Sequence, residues 1–299
     1  MHIPRLAGAA LLTTAIASAQ TVVLAAGYAA PYPIKVAPGQ LLTFFVSSIP
    51  NAPTSRVSAP SLPLPYSLAG ISATIDELSD PPLHNERVPL LAVAPMGSVT
   101  AVSVQIPFFL RPSSFVAPDI PPPATMSLYA NGVAVASFPI APTPDQIHIA
   151  TTCDANLTTP VAGAPCRPLV THADGSLVTP DQPAHARELL VLYAFGLGAT
   201  NPGMAAADSA SSPQPAAAQI SMSSDAAIPA IPSTRETLSP IFAGLTVGFS
   251  GLYQINFLAP APPTPFAPAA CNTFNSPNGN VALTVRASSS DIARFCVYP

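Results

Sequence analysis

The chain has 299 residues and a formal net charge of -4; 8% of its residues are charged, 49% are hydrophobic and 40 are proline. Its 10 basic residues form no cluster, which argues against binding to a nucleic-acid phosphate backbone. Low charge and high apolar content argue against disorder. Dense proline excludes long helices, because each interior proline removes a hydrogen-bond donor and clashes with the preceding turn. The composition predicts an all-β globular protein with room for about two domains.

The N-terminus has the three parts of a secretory signal. Arg5 supplies the positive charge, residues 6–17 are apolar, and Ala17-Ser18-Ala19 is a small-residue cleavage site. We therefore expect a signal peptide over residues 1–19 and a protein that is secreted, held at the cell surface or periplasmic. An uncleaved anchor is the alternative, but the apolar stretch is shorter than the roughly 20 residues that a membrane span requires. No membrane span is expected after cleavage.

Short strand-like segments separated by turn signals follow in the first half of the chain. The apolar and alternating segments are residues 41–46, 71–75, 88–94, 99–110, 126–129 and 133–138. Asn131-Gly132 stands between the last two and predicts a β-hairpin. Residues 50–65 and 76–86 are interpreted as loop or turn, and the first unit is expected to close near Ala150.

Residues 151–168 are predicted to be a linker, after which a second series of strands follows. The strand-like segments are residues 169–171, 177–178, 189–194, 241–247, 252–258, 281–285 and 292–297, and residues 199–219 and 260–277 are interpreted as loops. Asp174-Gly175 predicts a hairpin-type turn. In the strand at 252–258, Tyr253, Ile255 and Phe257 form the more apolar face, which is expected to be buried.

The two halves match each other in three ungapped segments. Leu189 lies 148 residues after Leu41, Gln254 lies 149 after Gln105, and the match of Met126 with Leu283 has an offset of 157. Three matches in order predict a duplicated unit. The larger third offset predicts an insertion in the second copy, in the segment that holds a cysteine. The expected architecture is two tandem immunoglobulin-like β-sandwich domains, residues 20–150 and 169–299.

Three motifs stand in order in the second half: VTHADGSL at 170–177, VLYAFGLGATNP at 191–202, and GLYQIN at 251–256 followed by Pro260. Over about residues 165–299 the chain resembles an uncharacterised C-terminal domain family of secreted acidobacterial proteins. The first half resembles a degenerate copy: it has the APGQ lead-in at 37–40 but SSIP at 47–50 in place of the Gly-Leu-Gly turn. The second half has HARE at 185–188, where the family usually has Pro-Gly. The resemblance implies an exported Ig-like module and no known chemistry.

Four cysteines fit an oxidising compartment and allow three disulfide pairings. We favour Cys153–Cys166 and Cys271–Cys296, because each pair then ties down one region of the chain. A zinc site is the alternative, but the chain has no Cys-x-x-Cys pair and no histidine at ligand spacing.

Three short motifs suggest chemistry but lack the residues that the chemistry needs. Ser250 lies in Gly-Phe-Ser-Gly, without the second glycine of a nucleophile elbow, so a turn before a strand is expected. Gly196-Leu197-Gly198 lacks the lysine and helix of a phosphate loop and is interpreted as a turn. Asp76, Glu77 and Asp80 lack the spacing of a calcium loop and are expected to form a solvated acidic turn.

Histidines and aromatic residues offer two further possibilities. His84, His148, His172 and His185 are widely spaced, so we expect exposed loop residues; a metal or acid–base role requires the fold to gather them. The following tyrosines are either a sugar-stacking platform or, as we favour, core residues: Tyr193, Tyr253 and Tyr298.

No catalytic, cofactor or metal site is expected. The leading hypothesis is an exported non-enzymatic protein that acts in adhesion or assembly and binds a surface protein or a polysaccharide. The alternative is a carbohydrate-binding module, which predicts a row of exposed aromatic side chains. A β-sandwich hydrolase, which predicts two carboxylates facing each other across a cleft, is less favoured.

Overall fold

The structure is a computed structural model that describes residues 23–26, 33–47, 49–78, 82–112, 124–157, 165–226, 236–261, 271 and 277–297. All regular secondary structure in these ranges is β-strand, which confirms the predicted all-β class. None of the described residues belongs to a helix with the length and apolar character that crossing a membrane requires.

Two sheets make up the first half. Its strands are β1 (Val23–Ala26), β2 (Ile34–Val36), β3 (Leu41–Ser47), β4 (Val57–Ser58), β5 (Ser67–Leu68), β6 (Ile71–Glu77), β7 (Leu83–Val88), β8 (Leu90–Met96), β9 (Val99–Gln105), β10 (Ala124–Ala130) and β11 (Val133–Pro142). One sheet has the order β1-β3-β9-β8-β4, and the other has the order β2-β11-β10-β6-β5 with β7 paired to β6.

Two more sheets make up the second half. Its strands are β12 (His148–Ile149), β13 (Val170–His172), β14 (Leu189–Phe195), β15 (Gln214–Pro215), β16 (Ile220–Ala226), β17 (Glu236–Leu238), β18 (Phe242–Leu245), β19 (Tyr253–Leu258), β20 (Gly279–Val285), β21 (Ser288–Ser289) and β22 (Ala293–Phe295). The orders are β12-β14-β19-β18-β15, with β13 also on β14, and β17-β16-β20-β21, with β22 also on β20.

Each half encloses its own core between its two sheets, as in a β-sandwich. In the first half, the rings of Phe44 and Phe138, from opposite sheets, have centroids 5.0 Å apart. In the second half Tyr253, Ile255 and Phe257 are buried, which confirms the predicted inward face of β19. Burial of each such side chain contributes about 1.5–3 kcal/mol to folding.

Several strand predictions are wrong at their ends. The strand predicted over 99–110 ends at Gln105, because Pro107 has no N–H to continue the ladder. The predicted turn at 76–86 instead contains the end of β6 and most of β7, which pair with each other. Strand β16 was not predicted, although Ile220, Met222 and Ser224 alternate inward. The predicted Asn131-Gly132 hairpin is confirmed, with positive φ at both residues.

The segment predicted to be the linker, residues 151–168, belongs to the second half. It lies between β12 and β13, which both pair with β14. Strand β12 therefore also lies in the second half, although the sequence placed it within the unit ending at 150. The described residues of the predicted linker, 151–157 and 165–168, lie between two parts of one edge strand, and residues 143–147 join the halves.

A four-residue turn before β3 recurs before β14. In the first half Gln40 Oε1 accepts a hydrogen bond from the Ala37 N–H at 2.7 Å. In the second half Glu188 Oε2 accepts one from the His185 N–H, also at 2.7 Å. The first predicted match, which has an offset of 148, therefore has the same local structure in both halves.

The second predicted match is displaced by four residues. Gly39 N–H donates to the carbonyl oxygen of Ile106 at 2.9 Å, and its counterpart Arg187 donates to that of Ala259 at 3.1 Å. The structural equivalent of Ile106 is therefore Ala259, whereas the sequence match pairs it with Ile255. Because four is even, the displacement leaves the same faces of the strand inward, and a pattern of alternation does not detect it.

The third predicted match is displaced by two residues. The β10–β11 hairpin closes with Ala130 opposite Val133, and the β20–β21 hairpin closes with Val285 opposite Ser288. Val285 is thus equivalent to Ala130, whereas the sequence match pairs it with Leu128. From the strand match to the hairpin, the second half is two residues longer, whereas the offsets of 149 and 157 predict an insertion of eight, so the predicted size is wrong.

Glycines allow the two halves to approach closely. A Cβ atom at Gly251 would lie 2.5 Å from the Gly39 carbonyl oxygen, and one at Gly39 would lie 2.1 Å from the Phe108 ring. Phe108 follows β9 of the first half, yet its side chain belongs to the core of the second half. The backbones of the two halves therefore pack directly against each other at this point.

Buried hydrogen bonds also join the halves. Gln105 Oε1 accepts a hydrogen bond from the Ala207 N–H at 2.8 Å, and Leu64 N–H donates to the Ala207 carbonyl oxygen at 2.9 Å. A separate apolar cluster lies at the same junction. It contains Leu41, Ala150, Phe195 and Leu252, with Leu91, Leu157, Leu169 and Tyr193 packed against it.

Candidate functional site

The cysteines pair as the sequence analysis favoured. Cys153 and Cys166 form one disulfide, with their Cα atoms 5.1 Å apart, and Cys271 and Cys296 form the other, at 5.5 Å. The first closes the loop that interrupts the β12–β13 edge strand, and the second attaches residue 271 to the end of β22. Both have a structural role.

Ser250 has a structural role in this fold. Its hydroxyl donates a hydrogen bond to the Asp208 carbonyl oxygen at 2.9 Å, and the residue is buried. The segment is a turn before β19, as expected, and Gly248 and Gly251 on either side have positive φ. The hydrogen bond from the serine hydroxyl therefore holds the backbone at Asp208 against the turn.

The predicted acidic turn is wrong in one respect. Asp76 is half-buried and accepts the Asn85 N–H at 2.9 Å, but Glu77, the last residue of β6, is buried and accepts the Arg111 N–H at 3.2 Å. Neighbouring residues of a strand point to opposite faces, so these two carboxylates diverge. Asp80 lies outside the described residues. Among the described residues, no group of three or more His, Cys, Asp or Glu side chains is arranged so that it could hold a metal ion.

Gly196-Leu197-Gly198 packs against the segment that joins the halves. A Cβ at Gly196 would lie 2.0 Å from the Gln146 carbonyl oxygen, and one at Gly198 would lie 2.2 Å from that of Pro144. Gln146 N–H also donates to the Gly196 carbonyl oxygen at 2.8 Å. The two glycines therefore let two backbones meet.

Of the three tyrosines considered for a sugar-stacking platform, two lie in the described residues, and neither is exposed. Tyr253 is fully buried and its hydroxyl donates to the Gly198 carbonyl oxygen, while burial raises the pKa of Tyr253 far above its ordinary value. Tyr193 is half-buried beside the apolar cluster at the junction. Tyr298 lies outside the described residues. The exposed aromatic side chains in the described part of the chain are Phe109 and Phe249, at 45% and 54%.

The histidines lie in three separate places. His84 is exposed, with its Nδ1 3.8 Å from an Asp76 oxygen. His148 is largely buried, lies 2.9 Å from Asp154 and stacks at 6.2 Å on Phe195, so the prediction of an exposed loop residue is wrong there.

His172 and His185 line one depression of about 620 Å³ on the surface of the second half, together with three carboxylates. The lining residues are His172, Ala173, Asp174, Ser176, Asp181, Gln182, Pro183, His185 and Glu188. The depression lies where the β13 turn meets the turn before β14. Sequence analysis did not join these groups, because the His172 and Glu188 pair forms only when β13 and β14 are side by side.

The His172 ring links two turns. Its Nδ1 lies 2.5 Å from Glu188 Oε1, and its Nε2 lies 3.1 Å from the Gln182 carbonyl oxygen. Because both ring nitrogens face acceptors, only the doubly protonated ring donates to both. Burial lowers the pKa of His172, but the hydrogen bonds to Glu188 and Gln182 and the Glu188 charge outweigh this and raise it.

Two of the carboxylates in the depression, Glu188 and Asp174, also accept hydrogen bonds from neighbouring groups. Burial raises the pKa of Glu188, but its bonds to His172 and to the His185 N–H outweigh this and lower it. Asp174 accepts hydrogen bonds from the Ser176 N–H and hydroxyl, which lower the pKa of Asp174. The pair of His172 and Glu188, here called the His172 clamp, therefore joins the β13 turn to the turn before β14.

A second concave feature, here called the junction cavity, lies between the two halves. Its volume is about 410 Å³. The lining residues are Leu41, Arg56, Ser58, Ala59, Pro60, Ser61, Leu62, Leu64, Leu91, Asn156, Leu157, Gly248, Phe249, Ser250 and Leu252. Small-molecule sites occur preferentially at such interfaces, with volumes of roughly 300–1,000 Å³. Sequence analysis did not predict the junction cavity, because its wall is formed by five segments that are distant in the chain.

Comparison with models of known protein families and with curated proteins finds no match to this chain.

Proposed function

We propose that the protein is exported and acts outside the cell as a non-enzymatic adhesion or assembly module, built of two Ig-like domains. The observation that carries the proposal is the close docking of the two halves, through Gly39 against Gly251 and Gln105 with Ala207. A fixed pair of sandwiches presents the loops and strand edges of both in one relative position. Two weak contacts made in such an arrangement reinforce each other by effective concentration.

Export is supported by the N-terminal signal pattern and by the two disulfides. Disulfides form and persist in oxidising compartments such as the periplasm or the extracellular space. The resemblance of the second half to a domain family of secreted acidobacterial proteins agrees with this, and we propose that the chain is related to that family.

A non-enzymatic role is supported by what the candidate catalytic groups do. The Ser250 hydroxyl is used to hold a neighbouring backbone, and both ring nitrogens of His172 face acceptors. His148 is paired with Asp154 and packed on a ring. A group with its hydrogen-bonding capacity already used for structure is poorly placed to exchange protons with a substrate.

The test uses the mature chain from Gln20 onward. Saturable binding to intact cells or envelope fractions, insensitive to glycosidase treatment, is expected from a protein-binding adhesin. Absence of binding to every envelope and polysaccharide preparation would contradict the proposal. Saturable binding to one class on a glycan array, with and without calcium, would instead favour the carbohydrate-binding alternative.

The fixed arrangement can be tested with a matched pair of variants. Gly251→Ala places a Cβ against the Gly39 backbone, whereas Gly248→Ala, also at positive φ, meets no atom within 4 Å. We expect envelope binding to weaken in the first variant and persist in the second. Equal binding by both would contradict the claim that the docking of the halves matters.

A further inference from the structure

The walls of the junction cavity are mainly apolar. Four leucines, which also pack in or against the apolar cluster at the junction, line its inner side: Leu41, Leu91, Leu157 and Leu252. At its rim, Leu62 and Phe249 are 39% and 54% exposed, although both are large apolar side chains. Exposed apolar side chains around a concave apolar surface are typical of a binding site.

Among the described residues that line the cavity, Arg56 is the charged one. Its guanidinium donates to the Ala155 carbonyl oxygen at 2.7 Å, to that of Asn156 at 3.3 Å and to the Ser58 hydroxyl at 3.2 Å. These bonds hold the cation in a fixed position between the halves. No acidic side chain is among the described residues that line the cavity. Arg56 therefore contributes a positive charge to the wall, which an anionic group would complement.

A buried carboxamide lies in the same wall. Asn156 is 3% exposed, and neither its side-chain oxygen nor its nitrogen has a hydrogen-bond partner among the described residues. Native proteins leave few buried polar groups unpaired, so such a group calls for a partner. When the Asn156 side chain turns toward the cavity, its amide N–H donates a hydrogen bond to a carboxylate bound there.

We propose that the junction cavity binds a small amphiphile with an apolar body and a carboxylate head. The volume of about 410 Å³ is about fourteen times the roughly 30 Å³ that a water molecule takes up in the liquid, so it suits a ligand of about a dozen heavy atoms. The apolar body lies on the leucines and Phe249, and the head lies toward Arg56 and Asn156. A medium-chain fatty acid has this chemistry.

The probe is decanoate below its micelle concentration, with decanol as the neutral control, measured by titration calorimetry on the mature chain. Saturable binding at one site is expected, with decanoate bound more tightly than decanol. No saturable binding of decanoate, or equal affinity for the two compounds, overturns the proposal.

Variants assign the binding to this cavity. Phe249→Ala is expected to weaken decanoate binding about fivefold or more. Phe109→Ala is the matched control, because Phe109 is similarly exposed but does not line the cavity. Decanoate binding that Phe249→Ala leaves unchanged, or that both variants weaken equally, overturns the assignment.

The charge requirement is tested separately. Arg56→Gln is expected to remove the preference for decanoate over decanol, with about a tenfold loss of decanoate affinity. Since Arg56 also holds backbone carbonyls, a second variant is needed. Ser61→Asp adds a negative charge at an exposed lining position and should weaken decanoate binding while leaving decanol binding unchanged. Unchanged decanoate affinity in Ser61→Asp would overturn the role of charge.

Discussion

Gly251 lies so close to Gly39 that a Cβ atom on Gly251 would be 2.5 Å from the Gly39 carbonyl oxygen. Gly251 lies at the end of the turn before β19, and Gly39 lies in the turn before β3. Strand β3 of the first half and strand β19 of the second are thus brought together through the turns that precede them. Docking of the halves is set by backbone contact, which tolerates no side chain at this point.

Alanine at Gly251 should destabilise the protein more than alanine at Gly248. Both glycines have positive φ, which costs an alanine about 1–2 kcal/mol. Gly251→Ala adds an overlap with the Gly39 backbone, worth about 1–3 kcal/mol more. Urea unfolding of both variants checks this, and equal losses would show that the halves are not docked as described.

Gln105 and Gln254 should differ in their contributions to stability, although the sequence match treats them as equivalent. Gln105→Leu leaves the buried Ala207 N–H without its acceptor, which should cost about 1–3 kcal/mol of unfolding free energy. Gln254 is half-buried and donates to the Asn256 side chain, so Gln254→Leu should change stability by about 0.5 kcal/mol or less. Thermal unfolding of the two variants measures the difference; similar losses would support the sequence register.

The pair of His172 and Glu188 should make stability depend on pH. The pKa of His172 is raised, so its stabilisation is present below the unfolded pKa of about 6.5 and is lost as the pH rises through the higher folded value. The pKa of Glu188 is lowered, so its stabilisation is present above about 4.5 and is lost as the pH falls through the lower folded value. Both contributions are therefore fully present between about pH 4.5 and 6.5.

The measurement is the unfolding midpoint as a function of pH for the wild type and His172→Gln. The variant should lose stability within that window and approach the wild type at higher pH. His185, Asp174 and Asp181 line the same depression and remain in both proteins. His84→Gln, at an exposed histidine, is the control. A pH profile that His172→Gln leaves unchanged would contradict the clamp.

The two disulfides should contribute to stability by constraining the unfolded chain. Replacing Cys153 and Cys166 by alanine, at a sequence separation of 13, should cost about 3 kcal/mol. Replacing Cys271 and Cys296, at a separation of 25, should cost about 0.6 kcal/mol more in the same chain-entropy treatment. Denaturant midpoints of the two double variants compare them, and no loss in either would contradict bonding of that pair.

The sequence by itself was enough for the all-β class, the cysteine pairing, the Asn131-Gly132 hairpin and the buried face of Tyr253, Ile255 and Phe257. These features depend on local chemistry: proline density, short cysteine separations, turn residues and alternation. The tertiary structure decided which residues of the two halves are equivalent. Alternation repeats every two residues, so a sequence match displaced by two or four residues keeps the same pattern. It also decided the His172 clamp and the junction cavity, since both are formed by residues distant in sequence that only strand pairing and the docking of the halves bring together.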